Sequence, residues 1–154
     1  MTEPDHPNRS RFDSERKLTV RTNVAEEIRE VQDLYASIFD TRQWNRLGAV
    51  FTADAVFGPG DGATYRGLAE IENACRSAAE TFSKTRHFIA SHAVSVGNDR
   101  ADASCAFLVG LRDAAAQRTT TMWGEYIDVF SWTADGWRIS GRQAVVDWVD
   151  VQGL

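Results

Sequence analysis

Two residues of this sequence combine a titratable side chain with a setting that invites chemistry. Asp40 closes the amphipathic stretch VQDLYASIFD, and His87 opens the strand-like run RHFIASHAVSV. A neutral imidazole can take a proton from carbon next to a carbonyl or a leaving group, while a nearby carboxylate orients the ring and stabilises the imidazolium that forms. Both residue types also have structural uses. An aspartate ahead of a helical start caps it, and a strand histidine can sit in a core bonded to a backbone carbonyl or stand exposed at the strand end. Other chemistries are poorly provided for. His92 lies five residues from His87, on the opposite face of a regular strand, and is expected to pack on a helix or a subunit contact. With His6 far upstream, no third ligand stands at a spacing that would complete a metal site. The GPGDG at 58–62 lacks the strand-to-helix setting of a phosphate loop, and no Ser or Cys nucleophile motif occurs. Cys75 and Cys105 have neither CxxC spacing nor a neighbouring histidine, so free reduced thiols are expected.

The elements that must position Asp40 and His87 are legible from periodicity. Residues 1–22 hold two of the three prolines, many charges and scattered apolar residues, a composition expected of a flexible tail. Asn23 is a good helix cap with Glu26 in capping-box position and Glu27 in the first turn. Val24, Ile28, Val31, Tyr35 and Ile38, with Leu34 beside them, then recur at helical spacing and predict a helix ending near Phe39 or Asp40. A short second helix is expected from about Thr41, with Trp44, Leu47 and Phe51 on one face. ADAVFGPGDGATYRG reads as strand, turn and strand, and a third helix is expected over roughly Leu68 to Phe82. Four long strand-like runs follow, joined by turn signals at Gly97-Asn98 and Asp135-Gly136, which predicts an antiparallel meander. Helices first and strands afterwards indicate an α+β domain spanning 23–151.

Composition narrows the functions. At 154 residues, 43% hydrophobic and 25% charged, the chain has the make-up of one soluble globular domain. A net charge of -5, an isoelectric point near 5.2 and dispersed arginines argue against a nucleic-acid groove. No apolar run approaches the roughly 20 residues that span a bilayer, and the opening MTEPDHPNRSRFDSERK has no apolar signal core, so a cytoplasmic protein without membrane partners is expected.

The order of YASIFDTRQWNRLGAVFTADAVF, YRGLAEI, TRHFIASHAV, GNDRADA and GEYIDVFSWTADGWRISGRQ resembles the nuclear transport factor 2-like (NTF2-like) superfamily. Within it the match is to the SnoaL-like branch, which contains scytalone dehydratase, bile-acid 7α-dehydratase and hexachlorocyclohexane dehydrochlorinase. The resemblance covers about Ala25 to Trp148. It implies a cone-shaped α+β barrel, three N-terminal helices packed on a curved, mostly antiparallel sheet around an apolar pocket. It also implies cofactor-free acid/base catalysis on a small molecule, with Asp40 and His87 at the family's catalytic Asp and His and Tyr35 at a pocket tyrosine. On an ideal helix Tyr35 and Asp40 are rotated by about 140°, so their convergence is implied by the resemblance alone. The chain departs from the family's pattern at Phe39, where scytalone dehydratase has a tyrosine, and at Ser91, where many such strands carry Asn.

Further pocket residues follow from the same resemblance and from residue type. Tyr126 and Asp128 share a strand face that echoes the family's polar lining, and Ser91 keeps a shorter polar reach. Arg142 follows the strand WRIS, where it can meet a substrate anion or form a surface salt bridge. Trp44, Phe57 and Phe107, among the aromatics, can line a pocket for a ring-sized ligand or fill the core. The expected activity is a dehydratase-type elimination on a hydroxylated, carbonyl-bearing cyclic compound of polyketide, steroid or aromatic kind. An isomerase or cyclase would use the same pair. A non-catalytic small subunit of a ring-hydroxylating dioxygenase, or a ligand-binding module, would need neither residue. The broad sheet face points to a homo-oligomer, a trimer or dimer.

Overall fold

The computed structural model describes residues 8–153, with side chains over 24–153. Helix α1 (Asn8–Thr41) is followed by a 3₁₀ turn (Trp44–Ala49), strands β1 (Phe51–Gly58) and β2 (Tyr65–Arg66), helix α2 (Leu68–Glu80), and strands β3 (Lys84–Val96), β4 (Arg100–Asp113), β5 (Arg118–Thr133) and β6 (Gly136–Gly153). The stripe on α1 is as the 3.6-residue period predicts: Ile28, Tyr35 and Ile38 are buried, with Val24, Val31 and Leu34 packed partly against the core. Burying an isoleucine such as Ile28 or Ile38 stabilises the fold by about 1.5–3 kcal/mol. The helix does not begin at Asn23, which lies within it. Residues 8–22 contain neither Pro nor Gly, so nothing in the backbone stops helical propagation upstream of the expected cap. The short second element is a 3₁₀ turn, and Phe51 belongs to β1.

The six strands form one curved, unclosed sheet in the order β2-β1-β6-β5-β4-β3. The meander β3 to β6 is antiparallel throughout, and β1 joins it parallel to β6. The helices pack on the inward face, where alternate residues such as Cys105, Phe107 and Val109 of β4 meet Tyr126 and Phe130 of β5. This is an α+β cone, as the helix-then-strand order requires. Among the described residues, no helix is long and apolar enough to cross a membrane.

Two of the sheet's register shifts bear on the site. In β3 the register shifts between Ala90 and Ala93, and Ser91 takes a left-handed conformation at φ 54°. The extra residue reverses the side-chain alternation, so Thr85, His87 and Ile89 face inward before it and His92, Val94 and Val96 after it. His92 therefore lies on the same face as His87, contrary to the alternation expected of a regular strand. In β6 a bulge opposite Trp123 and Gly124 brings the Val145 carbonyl so close that a Cβ at position 124 would lie 1.9 Å from it. Only glycine fits there.

Candidate active site

Asp40 stands on the last turn of α1, which Arg42 terminates at φ 57°. The Arg42 guanidinium donates to the carbonyls of Ala79 and Phe82, tying the end of α1 to the end of α2. β3 is a sheet edge, so alternate amides along it have no strand partner. Asp40 supplies one: its Oδ2 accepts from the His87 N–H at 2.8 Å. Its Oδ1 accepts from the Thr85 hydroxyl at 3.0 Å and lies 2.7 Å from His87 Nδ1. Burial pushes the Asp40 carboxyl up, but the His87 side chain and amide, the histidine's charge and the Thr85 hydroxyl outweigh it, and the group is held below its usual value. An ionised Asp40 can only accept, so His87 Nδ1 carries the hydrogen, and in the neutral form of the ring the lone pair is on Nε2.

Asp40 and His87 occupy different sides of that contact. Asp40 borders a cleft between α1 and β3, whereas His87 also lines an interior cavity of about 180 Å³. Around His87 the cavity wall is aromatic, with Phe39 at 5.0 Å and Tyr35 at 6.2 Å between ring centroids. Tyr35 meets Tyr126 edge-on at 5.7 Å, and Tyr126 is stacked at 4.5 Å on Phe107. Phe57 and Cys75 complete this end. The 140° rotation between Tyr35 and Asp40 is thus used, with the tyrosine on the cavity and the aspartate behind the imidazole. Burial raises both tyrosine hydroxyls above their usual values and pushes the Cys75 thiol up to about 12.

Beneath the tyrosines lies a second polar cluster. Arg142 is sandwiched between the rings of Tyr35 and Tyr126, its guanidinium carbon 4.6 and 4.2 Å from their centroids. Its Nε and one terminal nitrogen donate to the two oxygens of Asp128, both at 2.7 Å. Gln32 of α1 donates to Asp128 Oδ2 at 2.8 Å, and its carbonyl lies 2.7 Å from His92 Nδ1. Burial alone would lower the arginine's pKa, but the Asp128 charge and hydrogen bonds raise it.

A SnoaL-like domain profile matches residues 20–143. The chain belongs to the SnoaL-like family. No curated protein matches the sequence. The SnoaL-like chain is similar in structure to a Kribbella flavida protein, at 24% identity and TM-score 0.78 over 84% of this chain and 95% of that one. It is also similar to a scytalone dehydratase candidate from Novosphingobium aromaticivorans, at 14% identity and TM-score 0.77, covering 88% and 90%. A hexachlorocyclohexane dehydrochlorinase aligns at 14% identity and TM-score 0.76, covering 89% and 91%. These likenesses establish the NTF2-like cone.

Within this SnoaL-like domain, the expected site residues divide. His87, Tyr35, Tyr126, Phe57 and Phe107 line the cavity together, with Asp40 behind His87. Trp44 does not reach it: the indole is buried in the core, edge-on to Phe39 at 5.4 Å. Ser91 is exposed, because the bulge that it forms turns it out of the inward series. Asp128 and Arg142 are both buried and pair with each other, so no surface bridge forms; neither lines the cavity, and Arg142 Nη1 has no hydrogen-bond partner among the described residues. Three contributors were not foreseen. Thr85 shares the inward parity of His87, two residues away, which was a usable signal. Gln32 interrupts the apolar stripe of α1, and a lone amide in such a stripe signals a buried partner. Cys75 sits on the buried face of α2 with Ile71 and Ala79, a pattern indistinguishable from core packing.

Proposed function

We propose that this SnoaL-like protein is a cofactor-independent lyase of the dehydratase type, acting on a small cyclic hydroxylated carbonyl compound. His87 Nε2 removes a proton from the carbon beside the carbonyl, the electron pair moves into an enolate, and hydroxide leaves from the next carbon. The imidazolium returns its proton to that leaving group, so that water and an unsaturated carbonyl compound are the products. Asp40 orients the ring and stabilises its cationic form, and Tyr35 and Tyr126 donate hydrogen bonds to the developing oxyanion. The carrying observation is that Asp40 engages His87 through Nδ1 while the same ring borders the cavity. Every group the step needs is a side chain of this domain. Structural neighbours named as a dehydratase candidate and a dehydrochlorinase favour elimination over isomerisation or cyclisation, which share the first proton transfer.

The test is incubation with cyclic β-hydroxy ketones in deuterated buffer, followed by NMR. Appearance of a vinyl signal with loss of the carbinol supports elimination. Exchange at the α carbon without olefin points to an isomerase, and turnover unchanged in His87→Ala sinks the acid/base reading. We also propose that a second copy covers the outer sheet face, where the cross-strand row Phe88, Leu108, Trp123 and Trp148 continues to Ile127 and Val145. A monomer in sedimentation at micromolar concentration would refute this.

A further inference from the structure

We infer that the cavity selects a neutral, single-ring carbonyl compound, and that any extension of that ring is hydrophilic and leaves between the β1–β2 turn and α2. This rests on the acid/base reading above and narrows its substrate class.

Size sets the first limit. An engineered apolar cavity of about 150 Å³ holds one benzene molecule, and the cavity here is about 180 Å³. One six-membered ring with its carbonyl oxygen fills that space, and a second fused ring has nowhere to go inside. Side chains in such an interior are close-packed and yield little without strain.

Charge sets the second. No Lys or Arg is among the residues lining the cavity, and the buried cation Arg142 lies outside that lining with its charge paired to Asp128. Arg142 gives two nitrogens to Asp128 and both faces to tyrosine rings, and its remaining nitrogen has no partner among the described residues. A carboxylate or phosphate on the ring would therefore be desolvated without a counter-charge, which costs several kcal/mol. Apart from Asp61 and Tyr65 on the side shared with the groove, the lining residues that carry polar side-chain atoms are His87, Tyr35, Tyr126 and Cys75, a set suited to one carbonyl and one hydroxyl.

The way out sets the third. Asp61, Tyr65, Ala74 and Ala78 line both the cavity and an open groove that continues past Thr64, Glu70, Asn73 and Ser77. The cavity thus opens between the β1–β2 turn and α2 onto hydroxyl, amide and carboxylate groups, again with no cation in the lining. A hydroxylated substituent can hydrogen-bond there, a fused hydrocarbon ring gains nothing, and an anion meets Asp61 and Glu70.

The test is a binding series on the full chain by ligand-observed NMR and calorimetry with cyclohexanone, 4-(hydroxymethyl)cyclohexanone, 4-oxocyclohexanecarboxylate and 1-decalone. The first two are expected to bind comparably, and the carboxylate and the bicycle about ten-fold more weakly or worse. Ser77 is exposed on α2 and lines the groove but not the cavity, so Ser77→Phe should fold, leave cyclohexanone binding unchanged and weaken the hydroxymethyl compound selectively. Equal or tighter binding of the carboxylate or the decalone, no detectable binding of cyclohexanone at millimolar concentration, or a Ser77→Phe variant that binds both monocycles as before would overturn the inference. The readout is binding, so the two readings fail separately. The predicted ranking without α-proton exchange or elimination upholds the substrate class and defeats the lyase. Turnover of bicyclic or anionic compounds in preference to monocycles does the reverse.

Discussion

The two histidine clusters on the inward face of β3 use the same kinds of residue to opposite ends. At one, Asp40 engages His87 through Nδ1 and the same ring lines a cavity. At the other, His92 is bonded to Gln32, Gln32 to Asp128 and Asp128 to Arg142, a chain of internal contacts that leaves only Arg142 Nη1 without a partner among the described residues. His92 Nε2 faces Asp33 at 3.6 Å at the protein's edge instead of a void. Both clusters bridge α1 to the sheet and both contain a carboxylate and an imidazole. Access to empty space, more than residue type, separates a candidate base from a structural ring.

That contrast can be broken most sharply by removing each imidazole. His87→Ala is expected to lower kcat/KM on a responsive cyclic hydroxy ketone by about 10²- to 10⁴-fold, whereas His92→Ala should leave it within a few-fold. Comparable losses from both would erase the distinction. The next largest effect falls on stability. Arg142→Met strands the Asp128 charge in the interior and should cost about 3–5 kcal/mol in urea unfolding. Replacing Asp128 by Leu in the same chain should recover much of that loss, because the pair is then removed together.

A smaller change is expected at Gly124, where Gly124→Ala forces the bulged β6 backbone away and should cost about 1–3 kcal/mol by the same measurement. The mildest is a pH effect at Asp40. Its folded pKa is lowered, so its contacts contribute stability that is fully present above the unfolded carboxylate value near about 4 and lost as pH falls through the folded value. Asp40→Asn should flatten the acid side of the urea midpoint profile. An unchanged profile would mean that other carboxylates dominate there.

How much of this was legible in the sequence depended on the range of the interaction. The α1 stripe, the α2 span and the meander follow from local periodicity and turn chemistry, and they stand where expected. Asp40 and His87 were identifiable because the family order places them, although 47 positions separate them and no local rule joins them. The burial of Arg142 and Asp128 was illegible, since isolated charges on strands ordinarily face water and only the sheet register brings these two together. Asn23 carried a valid cap signal that continuous helix overrode. Ser91 gave no warning of a left-handed backbone, because that conformation is usually announced by Gly or Asn.

The extra residue at Ser91 works as a change of reading frame within one strand. Upstream of it, odd-numbered positions belong to the interior, and downstream even-numbered ones do. Deleting that single serine would remove the bulge and restore regular alternation, with Ile89, His92, Val94 and Val96 all still facing inward. The left-handed backbone at position 91 favours Gly or Asn there and disfavours β-branched residues. A relative lacking the insertion will align correctly with this chain through Ile89 and run one residue out of phase beyond it.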